Sequence, residues 1–265
     1  MQQPLRVWLI ALLFDFSRYA LVAGAAFAIF WVWGRERFRP RLVRGAYPRA
    51  AKLWHDVRWS MSTVIVFSLM GVVVYYGGHA GVLRRYLHVA DRGLVYFAFT
   101  IVLLIVLQDT YFYWTHRAMH HPRLYRFFHR VHHRSTSPSP WTAYAFAPGE
   151  ALVHALFVPL VWLFLPMHEA AVFVFLGFMI VRNVLGHLGM ELFSSGFTRG
   201  PFSGWNTTTT HHALHHEHFT TNYGLYFTLW DRLMGTTHPS YHARFERVAR
   251  ARAADDRFAA AEMAP

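Results

Sequence analysis

The feature that most limits what this chain can fold into is its set of long apolar stretches. The first runs from Leu5 to Trp33, interrupted by Asp15, Ser17 and Arg18. A second, Met61 to Tyr76, is rich in β-branched residues and ends at Gly77 and Gly78. A third, Leu94 to Leu107, continues through Gln108 and Asp109 into an aromatic tail ending at Trp114. Roughly 20 apolar residues cross a bilayer's hydrocarbon core; the first and third stretches meet that length and the second is marginal. The first is too long, and too charged at Asp15 and Arg18, for a cleaved signal peptide. A fourth region, Ala151 to Leu188, is broken by Pro159, Pro166, His168 and Glu169. It predicts a helical hairpin turning near Pro166, either re-entrant or spanning. Backbone inside a bilayer must satisfy its own hydrogen bonds, so these stretches are read as helices. The expected fold is an all-α integral membrane protein with about three transmembrane helices, such a hairpin, and a histidine-rich helical cap.

The charges between the stretches give an orientation. The chain carries +12, all of its cationic side chains but Lys52 being arginine. Such a charge suits nucleic acid or an anionic membrane surface. With 54% hydrophobic and 15% charged residues, and a mean hydropathy of +0.20, the membrane is the expected partner and nucleic acid is not. Arg35, Arg37, Arg39, Arg41, Arg44, Arg49, Lys52 and Arg58 crowd one connection, against Glu36 and Asp56. His116 to Arg134 adds five arginines and no acid. The positive-inside rule puts both on the cytoplasmic side, which in a bacterium means the inner membrane. Gly77 to Gly93 would then face the other side, despite Arg84, Arg85 and Arg92. From Tyr241 onward the chain reads as a soluble helix or a frayed end. No cysteine is present, which excludes disulfides and thiolate metal sites.

Histidine dominates what remains. Of 19 histidines, eleven fall in two short windows: His116, His120, His121, His129, His132 and His133, then His211, His212, His215, His216 and His218. His116 and His120 share a helix face. His129-x-x-His132-His133 and His212-x-x-His215-His216 repeat one spacing, i, i+3 and i+4, again read as one face. Imidazoles converging from three segments can enclose more than one metal ion. A polycationic surface stripe would account for the interleaved arginines but not for two copies of HxxHH. Neutral imidazole suits Zn, Fe, Cu and Ni alike. Peptide hydrolysis is disfavoured, because His116-Arg117-Ala118-Met119-His120 lacks the glutamate base of HExxH.

Three runs together resemble the histidine boxes of the fatty acid hydroxylase/sterol desaturase superfamily. The first is Asp109 through Tyr113, Trp114, His116 and His120 to His121; the second is His129 to His133 with Ser135 to Pro140 after it; the third is His212 to His216. Asn222-Tyr223-Gly224 and Trp230-Asp231-Arg232-Leu233-Met234-Gly235-Thr236 fit the family's closing pattern. The resemblance covers residues 60–238. It implies a non-haem di-iron enzyme that uses O2 and two electrons to hydroxylate or desaturate a lipid, with its boxes facing the cytoplasm. The implied metal ligands are His116, His120, His129, His132, His133, His187, His212, His215 and His216, holding two Fe ions for which Zn can substitute in a preparation. His187 stands where a further family ligand falls. In one departure, Ala147-Pro148-Gly149-Glu150 replaces the family's His-Pro-x-Glu, which removes a ligand at 147.

Three residues are expected to support the ligands. Asp109, two turns before His116, would hold an imidazole through its second nitrogen. Glu191 would support His187. His211, about 100° round the helix from His212, would touch an acceptor behind the ligands or the substrate. The domains expected are a spanning helix and basic loop over 1–59, the catalytic domain over 60–238, and a basic tail over 239–265. A fatty acyl, sterol or isoprenoid lipid is the expected substrate, and a separate electron-transfer protein the expected donor. The competing reading is a non-enzymatic, metal-handling membrane protein, a transporter or a zinc-binding component. A transporter would place its ligands at mid-membrane and within an internal repeat; here they lie beyond the spans, and no repeat is seen.

Overall fold

Why the apolar stretches become helices of these lengths is a matter of what stops them. The computed structural model of the chain describes the backbone of residues 2–262 and the side chains of 3–251. Helix α1 (Gln2–Phe27) continues as a π-helical segment, Ala28–Trp33, and ends at Gly34. One turn, α2 (Arg35–Phe38), leads to α3 (Ala50–His79). The latter is longer than Met61 to Tyr76, because Ala50 to Ser60 holds neither Pro nor Gly and nothing interrupts the helix. Lys52, Asp56 and Arg58 therefore sit on a helix and not in the basic connection. After strand β1 (Arg85–Tyr86), α4 (Gly93–Met119) runs unbroken from the third apolar stretch into the first histidine box.

Short helices α5 (Pro122–Phe128) and α6 (Arg130–His133) carry the second box. The expected hairpin is α7 (Pro148–Phe164), strand β2 (Met167–His168) and α8 (Glu169–Gly186), with its turn at Leu165 and Pro166. The third box lies on α9 (Thr209–His218), followed by α10 (Leu229–Leu233) and α11 (Tyr241–Glu262). Four of these helices, α1 with its π segment, α3, α4 and α8, are long and apolar enough to cross a membrane. Leu13, Leu21, Val95 and Val102 point outward and are exposed, as lipid-facing residues are.

The helices share two ends. At one, β1 pairs in parallel with β2, so the hairpin tip meets the connection between α3 and α4. The hairpin thus reaches the same end as those two helices. At the other end lie the histidine segments. Two apolar clusters hold the helices together: Tyr19, Val64, Tyr144 and Ile180 join α1, α3 and α8, while Leu104, Phe157, Met167 and Phe175 join α4 to the hairpin. The Trp31 indole donates to the Leu188 carbonyl at 3.0 Å and fixes α1 beside the residue after His187. The tail helix is not frayed at its start: Tyr241, Phe245 and Ala249 pack on Leu214 of α9. Residues 263–265 of the expected tail lie outside the described residues.

Asp56 ties the spans to the histidine end. Its carboxylate, 2% exposed, accepts from the Ser135 hydroxyl, from Thr142 Oγ1 at 2.6 Å and from His55 Nδ1 at 3.1 Å. Removing it strands two buried hydroxyls. Asp56→Ala is expected to cost about 2–4 kcal/mol from the lost acceptor and the unpaired groups. The check is the melting temperature of the purified variant in detergent, which should fall by several degrees; an unchanged value would mean this anchor is dispensable.

Candidate metal centre

The three histidine segments converge. Nine imidazoles form two groups of possible metal ligands among the described residues. The first is His116, His120, His129, His133 and His215; the second is His132, His187, His212 and His216. Within each group the candidate ligand atoms all lie within 4.8 Å of one another. All but His120 are buried.

The two HxxHH boxes do not each present one face, as their spacing suggested. In each box the i and i+4 histidines go to one group and the i+3 histidine to the other. His129 and His133 join the first group and His132 the second; His212 and His216 join the second and His215 the first. On α9 the reason is geometric: residues i and i+4 differ by about 40° around the axis, whereas i+3 lies about 60° to the other side. A helix laid between two sites therefore feeds both.

What fits these histidines to be ligands is the state of their second nitrogen. His116 Nδ1 donates to the Tyr223 carbonyl at 3.0 Å, and His215 Nδ1 to the Thr221 carbonyl at 2.7 Å. His187 Nδ1 donates to the Asn183 carbonyl at 2.8 Å, and His129 Nδ1 to Glu150 Oε1 at 2.6 Å. A carbonyl only accepts, so the proton sits on Nδ1 and a neutral ring keeps a bare lone pair on Nε2. Those Nε2 atoms face other imidazoles. His116 Nε2 is 2.9 Å from His129 Nε2, and His212 Nε2 is 2.8 Å from His187 Nε2. His133 Nε2 lies 3.1 Å from His120 Nε2 and 3.0 Å from His215 Nε2. Lone pairs in opposition repel unless a cation lies between them. Adjacent ligands on one ion with bonds of about 2.1 Å stand about 3.0 Å apart in octahedral geometry. The donor set fits a metal in each group.

Charge state agrees with that fit. Burial pulls His120 and His187 down to about 4. It holds His129, His132, His133, His212, His215 and His216 well below the ordinary imidazole value, with neighbouring imidazoles adding to the effect. Neutral rings are the form that binds metal.

The supporting carboxylates are arranged differently from expectation. Asp109 does not hold an imidazole; its Oδ1 accepts from the backbone N–H of Tyr226 at 2.7 Å and of Phe227 at 3.1 Å. Asp231 accepts from the N–H groups of Tyr223 and Gly224 at 2.9 and 2.8 Å. Together these two acids fix the loop whose carbonyls orient His116 and His215. Gly224 is required there, since a Cβ would fall 2.8 Å from Asp231 Oδ2 and closer still to the Phe227 carbonyl. Glu191 does not reach His187. It binds the start of α9, accepting from Thr210 N at 3.0 Å and Thr210 Oγ1 at 2.7 Å, so that the helix dipole meets a carboxylate. His211 belongs to neither group; its Nε2 lies 3.2 Å from Asp231 Oδ2, and its ring meets Tyr241.

Two further residues, for which the sequence suggested no role, belong to the site. Glu150, fully buried, is the carboxylate that does reach a candidate ligand, His129. Its signal was an acid opening an otherwise apolar helix. His154, one turn on, lies 3.6 Å from Glu150 and packs between Phe112 and Phe146. Beside it opens an apolar cavity of about 810 Å³ between α1, α3, α4 and the hairpin. Phe112, Phe146 and His154 line its inner end, and the first two also touch His116 and His132.

Comparison with known proteins matches residues 101–236, just over half the chain, to the fatty acid hydroxylase family model. The chain belongs to that family. It is 28% identical over 224 residues to a Delta(7)-sterol 5(6)-desaturase of Gibberella zeae, covering 83% of this chain and 65% of the relative. It is 32% identical over 152 residues to lathosterol oxidase of Rattus norvegicus, covering 56% and 48%. It is 33% identical over 152 residues to a putative methylsterol monooxygenase of Dictyostelium discoideum, covering 57% and 56%. The chain spans just under two thirds of the length of the first of these relatives. No solved structure matches it.

The neutral imidazoles set a pH dependence. An unfolded imidazole protonates near pH 6.5, whereas folded His120 and His187 stay neutral down to about 4. Below pH 6.5 the unfolded chain therefore binds more protons, and stability falls as pH drops toward 4. Chelated protein should melt at a clearly lower temperature at pH 5 than at pH 7. Equal melting temperatures would contradict buried neutral imidazoles.

Proposed function

We propose that the chain is a membrane-bound non-haem di-iron oxygenase that hydroxylates or desaturates an aliphatic lipid. One observation carries this reading: two groups of opposed Nε2 lone pairs lie behind Phe112 and Phe146, which line the inner end of a large apolar cavity between membrane helices. His116, His120, His129, His133 and His215 would hold one ion, and His132, His187, His212 and His216 the other. Two irons held there would supply the O2 chemistry needed to remove hydrogen from an unactivated C–H bond.

The chain's own part is placement and exclusion. Tyr223, Thr221, Asn183 and Glu150 fix ring orientation through Nδ1, which raises ligand basicity and leaves each Nε2 aimed inward. Nine imidazoles are present without a histidine at 147, where Ala147 stands, so each group still offers at least four ligands. Phe112 and Phe146 stand between cavity and imidazoles, where they keep water out and hold an apolar body beside the centre. The names of the relatives, sterol desaturases and an oxidase of lathosterol, support a sterol substrate, and the family's name a fatty acyl one, among the lipids expected.

Electrons come from a separate electron-transfer protein on this reading. The histidine end carries Arg117, Arg123, Arg126, Arg130 and Arg134, which supports a cytoplasmic active site by the positive-inside rule. The metal-transport reading is disfavoured because both groups sit at one end of the spanning helices and not at mid-depth.

The experiment compares lipids of cells expressing the wild type, His212→Ala and His211→Ala. The wild type should yield an O2-dependent oxidised lipid. His212→Ala should abolish product and lower metal content. His211→Ala, whose ring contacts Asp231 and not the ligand groups, should keep most metal with reduced product. Turnover by a metal-free variant would end this reading; loss of metal with His211→Ala alone would overturn the ligand assignment on α9.

A further inference from the structure

The cavity also holds an ion pair that belongs to neither histidine group. Arg18 Nη2 donates to Asp15 Oδ1 at 2.6 Å, with both side chains 9% exposed. They lie midway along the spanning segment Gln3–Trp33, and both line the cavity. An ionisable pair at that depth is costly. A purely structural pair would be expected to satisfy its donors. Here Arg18 Nε and Nη1 are buried without a well-formed hydrogen bond, and so is the hydroxyl of Tyr144, another cavity residue, which the guanidinium lies close enough to act on. The Arg18 guanidinium otherwise rests on the Phe14 ring, 5.3 Å from its centre. Three polar atoms without a well-formed hydrogen bond thus border one apolar chamber. Each leaves a desolvation cost that a polar ligand atom would relieve.

We propose that Asp15, Arg18 and Tyr144 form the docking site for the hydroxyl group of a neutral amphiphile whose apolar body fills the cavity. This rests on the cavity being the lipid site, as read above. A hydroxyl fits because it both accepts, from Arg18, and donates, to Asp15 or Tyr144. A carboxylate fits poorly: the Asp15–Arg18 pair is already neutral, and a second anion beside Asp15 would be uncompensated within the apolar span. The site also positions the reaction. Tyr144 is 6.4 Å from Phe146, ring to ring, and Phe146 is 5.1 Å from His132. A hydroxyl held here puts carbons close to the polar end nearest the second histidine group. The rest of the molecule extends past Phe157 and Met70 toward Arg85 at the far end.

The test is binding by chelated full-length protein in phosphatidylcholine nanodiscs. Radiolabelled 1-hexadecanol is the probe, with unlabelled 1-hexadecanol, hexadecane and hexadecanoate as competitors. Wild type should favour the alcohol over the alkane by at least about tenfold, the worth of a hydrogen bond to a charged group. Asp15→Leu with Arg18→Met removes the pair without leaving a lone charge, and should bring alcohol and alkane within about twofold. Tyr144→Phe, which deletes only a hydroxyl, should lose several-fold for the alcohol and nothing for the alkane, and keeps the test alive if the double variant fails to fold. The proposal is overturned if wild type does not bind the alcohol or shows no preference for it. It is also overturned if the preference survives in the variants, or if hexadecanoate competes better than hexadecanol. Binding is read without metal, oxygen or turnover, so failure of the oxygenase reading would leave this result standing.

Discussion

Everything at the histidine end depends on hydrogen bonds made on the side of each ring that faces away from the centre. A free imidazole can present either nitrogen, and nine free imidazoles would hydrogen-bond to one another and quench the site. Donation from Nδ1 to an acceptor that cannot donate back removes that freedom at His116, His187 and His215. Two of those acceptors are carbonyls of the loop at residues 221–223. That loop is held by Asp231 and Asp109, the latter reaching it from α4. A carboxylate on the spanning helix thus sets a lone pair at the centre through two intervening hydrogen bonds, without touching a ligand itself. The arrangement puts the unfavourable opposition of Nε2 atoms into the fold, where a bound cation would relieve it.

The same economy governs the membrane part. Apolar side chains face outward along α1, α3, α4 and α8, so the bilayer takes the role that a core plays in a soluble protein. Along the spans, buried polar groups are confined to a few interior positions. Asp56 is one such position, sewing α3 to the segment after the second box. Asp15 and Arg18 are another, and there the pairing is incomplete. Interior polarity that satisfies itself holds the fold, whereas interior polarity left open beside a cavity offers a ligand something to bind.

Much of this was legible in the sequence because it is local or periodic. The spanning stretches, the hairpin turn at Pro166 and the helix of the third box all follow from residue order. Clustering beyond what composition allows marks eleven histidines without three-dimensional knowledge, and the family resemblance selects eight of them and adds His187, the nine that the fold brings together. The partition of each HxxHH box between two groups was not legible. Spacing gives angles about one helix axis but not where a second and third helix stand. Nor were the partners of Asp109 and Glu191, each of which bonds to backbone from another element, Tyr226 and Thr210 respectively. Backbone amides carry no sequence signature. Glu150 was visible as an acid at the start of an apolar helix, but its target, His129, lies 21 residues away across a turn of fold.

The family resemblance in the boxes and the geometry of the rings lead to one claim: two metal ions, divided five ligands to four. Anomalous diffraction at the iron edge, from crystals grown without oxygen, tests it most directly. Two peaks are predicted, one among the Nε2 atoms of His116, His120, His129, His133 and His215, the other among those of His132, His187, His212 and His216. A single peak, or two peaks whose ligands cut across that division, would contradict the account.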